Sequence, residues 1–243
     1  MTTGRATGRS RAGTWVACGV GVLALAAGAA APVPAGASTR MLSAATTAQK
    51  AHATKALLRH SDLPSGWTTS PGSNNSGSGS FPGAAQLAGC IGVPSQLIAS
   101  NPPEVNSPNF HSKDQTLEVD DNVSVFPSVK NARAEYAAIS NAKTAGCMAT
   151  LMNGSFKTQI ASAAGNGASV GTITVTKAGA PKGTTAYDLG VPITSQGVVV
   201  PLHLVITYFI KGQYGQNITF YGYGIPFPST LERHLMATAQ ARL

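Results

Sequence analysis

The chain has 243 residues and a formal net charge of +8, and only 11% of its residues are charged, against about 25% in a typical soluble domain. This length allows one ordinary domain or at most two small ones. The basic residues are scattered and have no aromatic residues interleaved among them, whereas a nucleic-acid-binding surface needs a basic stripe or patch. Nucleic acid is therefore excluded from the expected partners.

A secretory signal peptide is predicted over residues 1–37. Three arginines within residues 1–14 precede an apolar stretch at residues 16–31, and small residues at 35–37 suit a cleavage site. A membrane-spanning helix needs about 20 apolar residues, and Pro32 ends this stretch too early. We therefore expect a secreted, extracellular protein, with association to the cell wall as a further option and with no transmembrane span after cleavage.

The mature chain is predicted to contain a short leading segment and one domain. Residues 38–53 are expected to be helical or flexible, and residues 54–243 to form a single α+β domain. Compositions rich in Gly, Ser and Pro predict flexible loops near residues 70–83 and 101–113. Three prolines predict irregular backbone over residues 101–109.

The predicted elements alternate helices and strands before a run of strands. Helix propensity and periodicity predict helices at residues 43–60, 84–88, 94–100, 129–139, 145–164 and 229–241. Alternation of apolar and polar residues predicts strands at residues 67–69 and 117–126 and four β-like runs at residues 169–176, 185–193, 198–210 and 214–223. Short connections force antiparallel neighbours. The fold class is therefore α+β, an antiparallel sheet with a C-terminal four-strand meander, covered by helices.

Two cysteines remain after cleavage, Cys90 and Cys147. An exported chain meets oxidising conditions, which favour pairing over free thiols. A redox dithiol would have Cys-x-x-Cys spacing, and a metal site would need further Cys or His ligands close by. We therefore predict one structural disulfide between these two residues.

One stretch of sequence and the order of elements resemble a known group. Leu-Leu at 57–58 is followed by Asp-Leu-Pro-Ser-Gly-Trp at 62–67, then by Cys90 before a Pro-rich stretch, and by a helix near Cys147. This layout resembles uncharacterised secreted proteins and lipoproteins of actinobacteria. It is also similar to the extracellular sensor domain of mycobacterial receptor serine/threonine kinases, which has a Mog1/PsbP-like fold. The resemblance covers about residues 54–242 and implies a free ligand-binding module.

Motifs of known hydrolases, zinc sites, phosphate-binding loops and EF-hands do not occur in the sequence. Asp120 and Asp121 are adjacent, but strand neighbours point to opposite faces, so a solvated edge or bulge is favoured over an acid and base pair. Asp114, Glu118 and Asp120 could hold calcium, but three acids without a defined loop are weak grounds. No metal site, cofactor or catalytic residue is predicted, and a serine-histidine-acid constellation assembled in space stays open.

Three functions compete on these grounds. The first is a secreted, non-enzymatic binding or sensor-like domain at the cell envelope, with a small or amphipathic ligand or a protein partner. The second is a secreted hydrolase with an unrecognised catalytic group. The third is a structural envelope protein whose surface adheres to other components. An activity-based serine-hydrolase probe discriminates the first two.

The last two strands present two faces of different composition. If Lys211-Gly212 forms a two-residue turn, Val205 pairs with Ile218 and their face is apolar. The opposite face mixes apolar, hydroxyl and amide side chains: Leu202, Leu204, Ile206, Tyr208, Asn217, Thr219, Tyr221 and Tyr223.

This mixed face is the predicted ligand site, because aromatic walls supply contact area and polar groups fix orientation. Tyr208, Tyr221 and Tyr223 are predicted to border the main cavity, with Asn217 as a polar partner. Coverage of the same face by the C-terminal helix is the competing arrangement.

Overall fold

A computed structural model of the protein describes residues 45–72, 83–98, 102–163 and 167–243. The predicted signal peptide and most of the loop predicted near residues 70–83 lie outside these ranges. Within the described ranges, the structure contains no helix with the length and apolar character needed to cross a membrane.

Seven α-helices and nine β-strands form the framework of the described part of the chain. The helices are α1 (Thr47–Ala56), α2 (Ala84–Ile91), α3 (Ser95–Ile98), α4 (Val129–Ile139), α5 (Thr144–Leu151), α6 (Lys157–Ala163) and α7 (Ser229–Arg242). The strands are β1 (Thr68–Ser70), β2 (Glu104–Asn106), β3 (Asn109–His111), β4 (Leu117–Val125), β5 (Ser169–Val170), β6 (Thr174–Ala178), β7 (Thr184–Ser195), β8 (Val198–Lys211) and β9 (Tyr214–Tyr223).

The nine described strands form one antiparallel sheet with the order β1-β3-β4-β9-β8-β7-β5. β2 also pairs with β4, and β6 also pairs with β7. The consecutive strands β6, β7, β8 and β9 form a C-terminal meander, and the run predicted at residues 169–176 is divided into β5 and β6. The α+β fold class is confirmed.

One face of the sheet is closed by α1 and α7, and we call it the apolar face. Side chains alternate along each strand, which places Val119, Ile218 and Phe220 on this face, where α7 contributes Leu235 and Met236. All five are essentially inaccessible to solvent. The C-terminal helix therefore lies opposite the face that carries the predicted ligand residues.

The described helices cover the second face over only part of its width. Near β5 to β8 it packs against the helical region, where Phe156 and Ile160 meet Ile173 and Val191. A smaller cluster joins α2, α4 and α5 through the buried side chains of Leu87, Ile91, Ala138 and Cys147. The predicted disulfide lies here and is confirmed, because Cys90 and Cys147 are bonded with a Cα separation of 5.8 Å.

The prediction of irregular backbone over residues 101–109 is wrong. β2 lies within this segment and β3 begins at its end, and both pair with β4. The prolines flank the strands instead of interrupting them, since Pro103 precedes β2 and Pro108 precedes β3. A proline that occupies the position before a strand removes no hydrogen bond from the ladder.

The predicted pairing between β8 and β9 is also wrong, by two residues. Val205 pairs with Phe220, and the two-residue turn is Gly212-Gln213. Gly212 has a φ of +62°, and turns with glycine at the first central position match the twist of hairpin strands. Because side chains alternate with a period of two, this shift changes every partner but leaves every residue on its predicted face.

Candidate functional site

The part of the second face that no described helix covers is polar, and we call it the polar face. It is built where β1, β3, β4 and β9 lie side by side. Opposite one another across β4 and β9 stand Glu118 and Tyr221, and Asp120 and Thr219. Side chains alternate between the two faces along each strand. Those toward α1 and α7 are mostly apolar, with the buried Asp121 and Gln216 as exceptions.

A cavity of about 200 Å³ opens where β2 and β3 both pair with β4. The connection between these strands leaves the sheet at Ser107, whose N–H donates to the carbonyl of Asp121 over 2.8 Å. The cavity is lined by acidic, amide and hydroxyl residues: Glu104, Asn106, Ser107, Asn109, Asp120, Asp121 and Asn122. None of these lining residues is basic or aromatic, so the cavity offers carboxylate and amide oxygens to a ligand.

Asp120 is a partly buried carboxyl group on the polar face. Loss of hydration raises its pKa to about 6, and a hydrogen bond from the Tyr221 hydroxyl, 2.7 Å from Oδ2, opposes this rise. Glu104 on β2 accepts a hydrogen bond from the Ser124 hydroxyl at 3.0 Å, and loss of hydration raises the pKa of its carboxyl group. A cavity whose carboxyl groups resist ionisation gains from a ligand that donates hydrogen bonds or carries positive charge.

The residues predicted to bind ligand share one face, as expected, but take different positions on it. The Tyr221 hydroxyl donates to Asp120, and the Tyr223 hydroxyl donates to Glu118 Oε2 over 2.9 Å. Asn217 accepts a hydrogen bond from the Thr219 hydroxyl at 3.3 Å. The hydroxyls of Tyr221 and Tyr223 therefore fix the orientation of the Asp120 and Glu118 carboxyl groups.

Tyr208 packs against α4 and is not among the residues that line the cavity. It is 6% exposed, its hydroxyl donates to Glu135 Oε1 over 3.2 Å, and its ring stacks on Tyr136 with centroids 6.2 Å apart. Its environment is that of a packed core tyrosine. Its predicted contact with ligand stays a prediction.

Asp120 and Asp121 point to opposite faces, as strand alternation predicts, but the predicted solvated edge or bulge is wrong at this position. β4 is an interior strand whose pairing with β9 runs without interruption through both residues. Asp121 is 2% exposed and accepts hydrogen bonds from the N–H of Leu58 at 2.7 Å and from the Gln216 side chain at 2.9 Å. It ties the end of α1 to the sheet.

The side chains of Ser70, His111 and Glu118 follow one another across β1, β3 and β4 on the polar face, and we call them the side-chain array. Ser70 Oγ lies 2.8 Å from His111 Nε2, and His111 Nδ1 lies 3.8 Å from Glu118 Oε2. Asn109 donates to the other Glu118 oxygen over 3.2 Å. The two imidazole nitrogens therefore face a hydroxyl on one side and a carboxylate on the other.

Neither the cavity nor the side-chain array was predicted from the sequence. Glu118, Asp120 and Asn122 alternate with other residues along β4, which is the signal of a polar face. The missing knowledge was that β4 lies beside β9, because that pairing joins residues about 100 positions apart. Among the described residues, no cluster of His, Cys, Asp and Glu has the arrangement of a metal site.

Neither protein-family models nor curated protein sequences give a match to this chain. Among solved structures, the chain is similar to the extracellular domain of PknH from Mycobacterium tuberculosis, with a TM-score of 0.38 and 9% sequence identity. The similarity covers 79% of this chain and 95% of that domain.

Proposed function

We propose that the protein is a sensor-like binding domain at the cell envelope, whose cavity on the polar face holds a small polar ligand without transforming it. The observation that carries the proposal is the composition of the cavity, in which every lining residue is acidic, amide or hydroxyl. Common ligand pockets are mostly apolar and have volumes of about 300–1,000 Å³. A smaller, polar cavity favours a ligand of similarly small size, with hydroxyl or ammonium groups as hydrogen-bond donors.

The arrangement of the carboxyl groups supports this ligand class. Asp120 accepts a hydrogen bond from Tyr221 on Oδ2 and is also hydrogen-bonded to Thr219. A carboxylate has about four acceptor positions, so Asp120 keeps the capacity to accept from a ligand. Asn106 and Asn122, which are opposite one another on β2 and β4, provide both donors and acceptors at the cavity wall.

Export to the envelope is part of the proposal. It is supported by the disulfide between Cys90 and Cys147, because such bonds persist in oxidising compartments. The predicted signal peptide supports it independently.

The test is calorimetric titration of the protein with glucose, as a polyhydroxyl probe, and with ethanolamine, as an ammonium probe. Binding of at least one probe at a single site is expected. An ammonium probe should bind more weakly near pH 5 than near pH 7.5, because the pKa of Asp120 is raised to about 6 and a protonated carboxyl group loses its attraction for a cation. A polyhydroxyl probe should show little such dependence.

Asp120→Asn is the variant that tests the site itself. It removes the charge and keeps the shape, so ethanolamine affinity should fall by about tenfold or more. Asp188→Asn is the matched control, because Asp188 lies on β7 opposite Val205 and therefore on the apolar face. Absence of binding by both probes, or equal effects of the two substitutions, contradicts the proposal.

A further inference from the structure

We propose that Ser70 is a nucleophile that accepts acyl groups from esters, with His111 as its general base and Glu118 as the residue that positions the imidazole. This activity goes beyond ligand binding in the cavity, which needs no nucleophile. It uses different residues from those tested above. The proposal rests on the order of groups in the side-chain array: the Ser70 hydroxyl, Nε2 and Nδ1 of His111, and the Glu118 carboxylate.

Strand pairing places these three side chains on one face. Ser70 on β1 stands opposite Asn109 on β3, and Thr68 stands opposite His111. Ser70 and His111 are therefore diagonal neighbours, which long side chains can bridge. His111 in turn stands directly opposite Glu118 on β4. Strands rather than loops hold all three groups.

The surroundings of Glu118 favour a positioning role. Its carboxylate accepts hydrogen bonds from Asn109 at 3.2 Å and from Tyr223 at 2.9 Å, and the residue is 9% exposed. A held carboxylate beside Nδ1 favours the tautomer with its proton on Nδ1. Nε2 then carries the lone pair that accepts the Ser70 hydroxyl proton.

The separation of 3.8 Å between Nδ1 and the carboxylate is longer than a hydrogen bond. Catalytic hydrogen bonds are often long without substrate and shorten in the reacting complex. The contact between Ser70 and His111, at 2.8 Å, already has the distance that proton transfer requires. The His111 side chain is 20% exposed, so a substrate can reach the imidazole in the side-chain array.

The reaction follows from these groups without any co-reactant besides water. Ser70 Oγ attacks the carbonyl carbon of an ester as the hydroxyl proton moves to His111 Nε2, so that a new C–O bond forms and the π electrons of the carbonyl group move onto its oxygen. The ester C–O bond then breaks, and the leaving alkoxide takes the proton from Nε2 and departs as an alcohol. Water, deprotonated by the same nitrogen, then attacks the carbonyl carbon of the acyl-serine. The bond between that carbon and Ser70 Oγ breaks, Oγ takes the proton back from Nε2, and a carboxylic acid departs.

The experiment is covalent labelling of the purified full chain with a fluorophosphonate probe and with p-nitrophenyl acetate, followed by mass spectrometry of peptides. Label on the peptide that contains Ser70, with fragment ions that place it on this residue, supports the proposal without any substitution. A folded chain that takes no label from either reagent overturns it. Label on another residue overturns it equally.

Variants test the role of each residue. Ser70→Ala should reduce labelling to background, and His111→Gln should lower the labelling rate constant by about 10²-fold or more. Glu118→Gln should lower the maximum rate constant with little change in the half-saturating probe concentration, which a merely structural role would not produce. Ser140→Ala is the control, because the hydroxyl of Ser140 donates to the backbone carbonyl of Tyr136.

Near-ultraviolet circular dichroism of each variant establishes that it is folded before its rate is compared. Labelling of Ser70→Ala at the rate of the native chain overturns the proposal, and so does an unchanged rate in folded His111→Gln. Failure of the binding proposal is measured separately, by titration of the unlabelled native chain with glucose and ethanolamine.

Discussion

Asp121 is a carboxyl group that has exchanged hydration for hydrogen bonds from two protein groups. Leu58 contributes its backbone N–H, and Gln216 contributes its side-chain amide, which reaches both carboxylate oxygens. Burial raises the pKa of Asp121 to about 7, and the negative charge of Asp120 adds to this rise. The hydrogen bonds and the positive charge of Arg242 oppose it without cancelling it.

This pKa makes stability depend on pH in an unusual direction. The folded protein binds the Asp121 proton more tightly than the unfolded chain, whose carboxyl has a pKa near the ordinary 3.8. The stabilisation is complete below the ordinary pKa and is lost as pH rises through about 7. We expect the free energy of unfolding in urea to fall between about pH 5 and about pH 7.5, by at most about 1.4 kcal/mol per pH unit from this group.

Asp121→Asn should make this dependence less steep, because an amide does not titrate in this range, and the dependence that remains should come from Asp120 and Glu104, whose pKa values are also raised. Asp114→Asn is the control: Asp114 is fully exposed, and hydrogen bonds from Ser112 and Thr116 lower the pKa of its carboxyl group. Its effect on stability therefore lies at more acidic pH. A slope that is equally steep in the native chain and in Asp121→Asn would contradict the assignment to Asp121.

At the scale of elements, local signals predicted the bounds of α4, α7, β8 and β9 to within one residue. The single helix predicted over residues 145–164 is wrong, because a kink at Gly154 divides it into α5 and α6. The helix that begins after Ser128 has a side-chain cap, since Ser128 Oγ accepts from the N–H of Asn131 at 3.2 Å, and its apolar periodicity predicted its length. β8 and β9 alternate so regularly that their faces were predicted despite the wrong turn. The face with Tyr221 and Tyr223 was therefore found, although their partners were not.

The remaining elements depend on contacts that are distant in sequence. β2 and β3 are three residues each and exist because they pair with β4. The cavity between them arises from that shared pairing. The side-chain array of Ser70, His111 and Glu118 lies across three strands. A sequence read segment by segment carries no signal for such a pairing, because propensity acts locally and strand partners are chosen by packing.

The disulfide joins α2 to α5 and supports a cluster too small to be stable alone. Its ends are 57 residues apart, and in the chain-entropy model such a loop contributes about 4 kcal/mol. We expect the double variant Cys90→Ala, Cys147→Ala to lose stability by up to this amount in urea unfolding. Reduction of the native chain should give a similar loss. A reduced native chain of full stability would assign the effect in the variant to the substitutions and not to the bond.

At the scale of the whole molecule, the sheet separates stability from the candidate functions. The apolar face is closed by α1 and α7, and the polar face carries the cavity and the side-chain array. The strands between the two faces are shared, and their side chains alternate between the faces. Asp121 is an exception, because its carboxylate accepts from Leu58 at the end of α1 while the residue also lines the cavity. Substitutions of the residues that α7 buries against the apolar face should therefore change the free energy of unfolding and leave the affinity of the cavity for its ligand unchanged.

Leu235→Ala tests this separation. Leu235 is completely buried on α7, and truncation of such a residue costs about 2–5 kcal/mol through lost burial and the cavity left behind. His234→Ala, at an exposed position of the same helix, should change the free energy of unfolding by less than about 0.5 kcal/mol. Titration with glucose and ethanolamine, at a temperature where both variants are folded, should give the affinities of the native chain. A markedly weaker affinity in folded Leu235→Ala alone would mean that the packing of α7 reaches through the sheet and shapes the cavity.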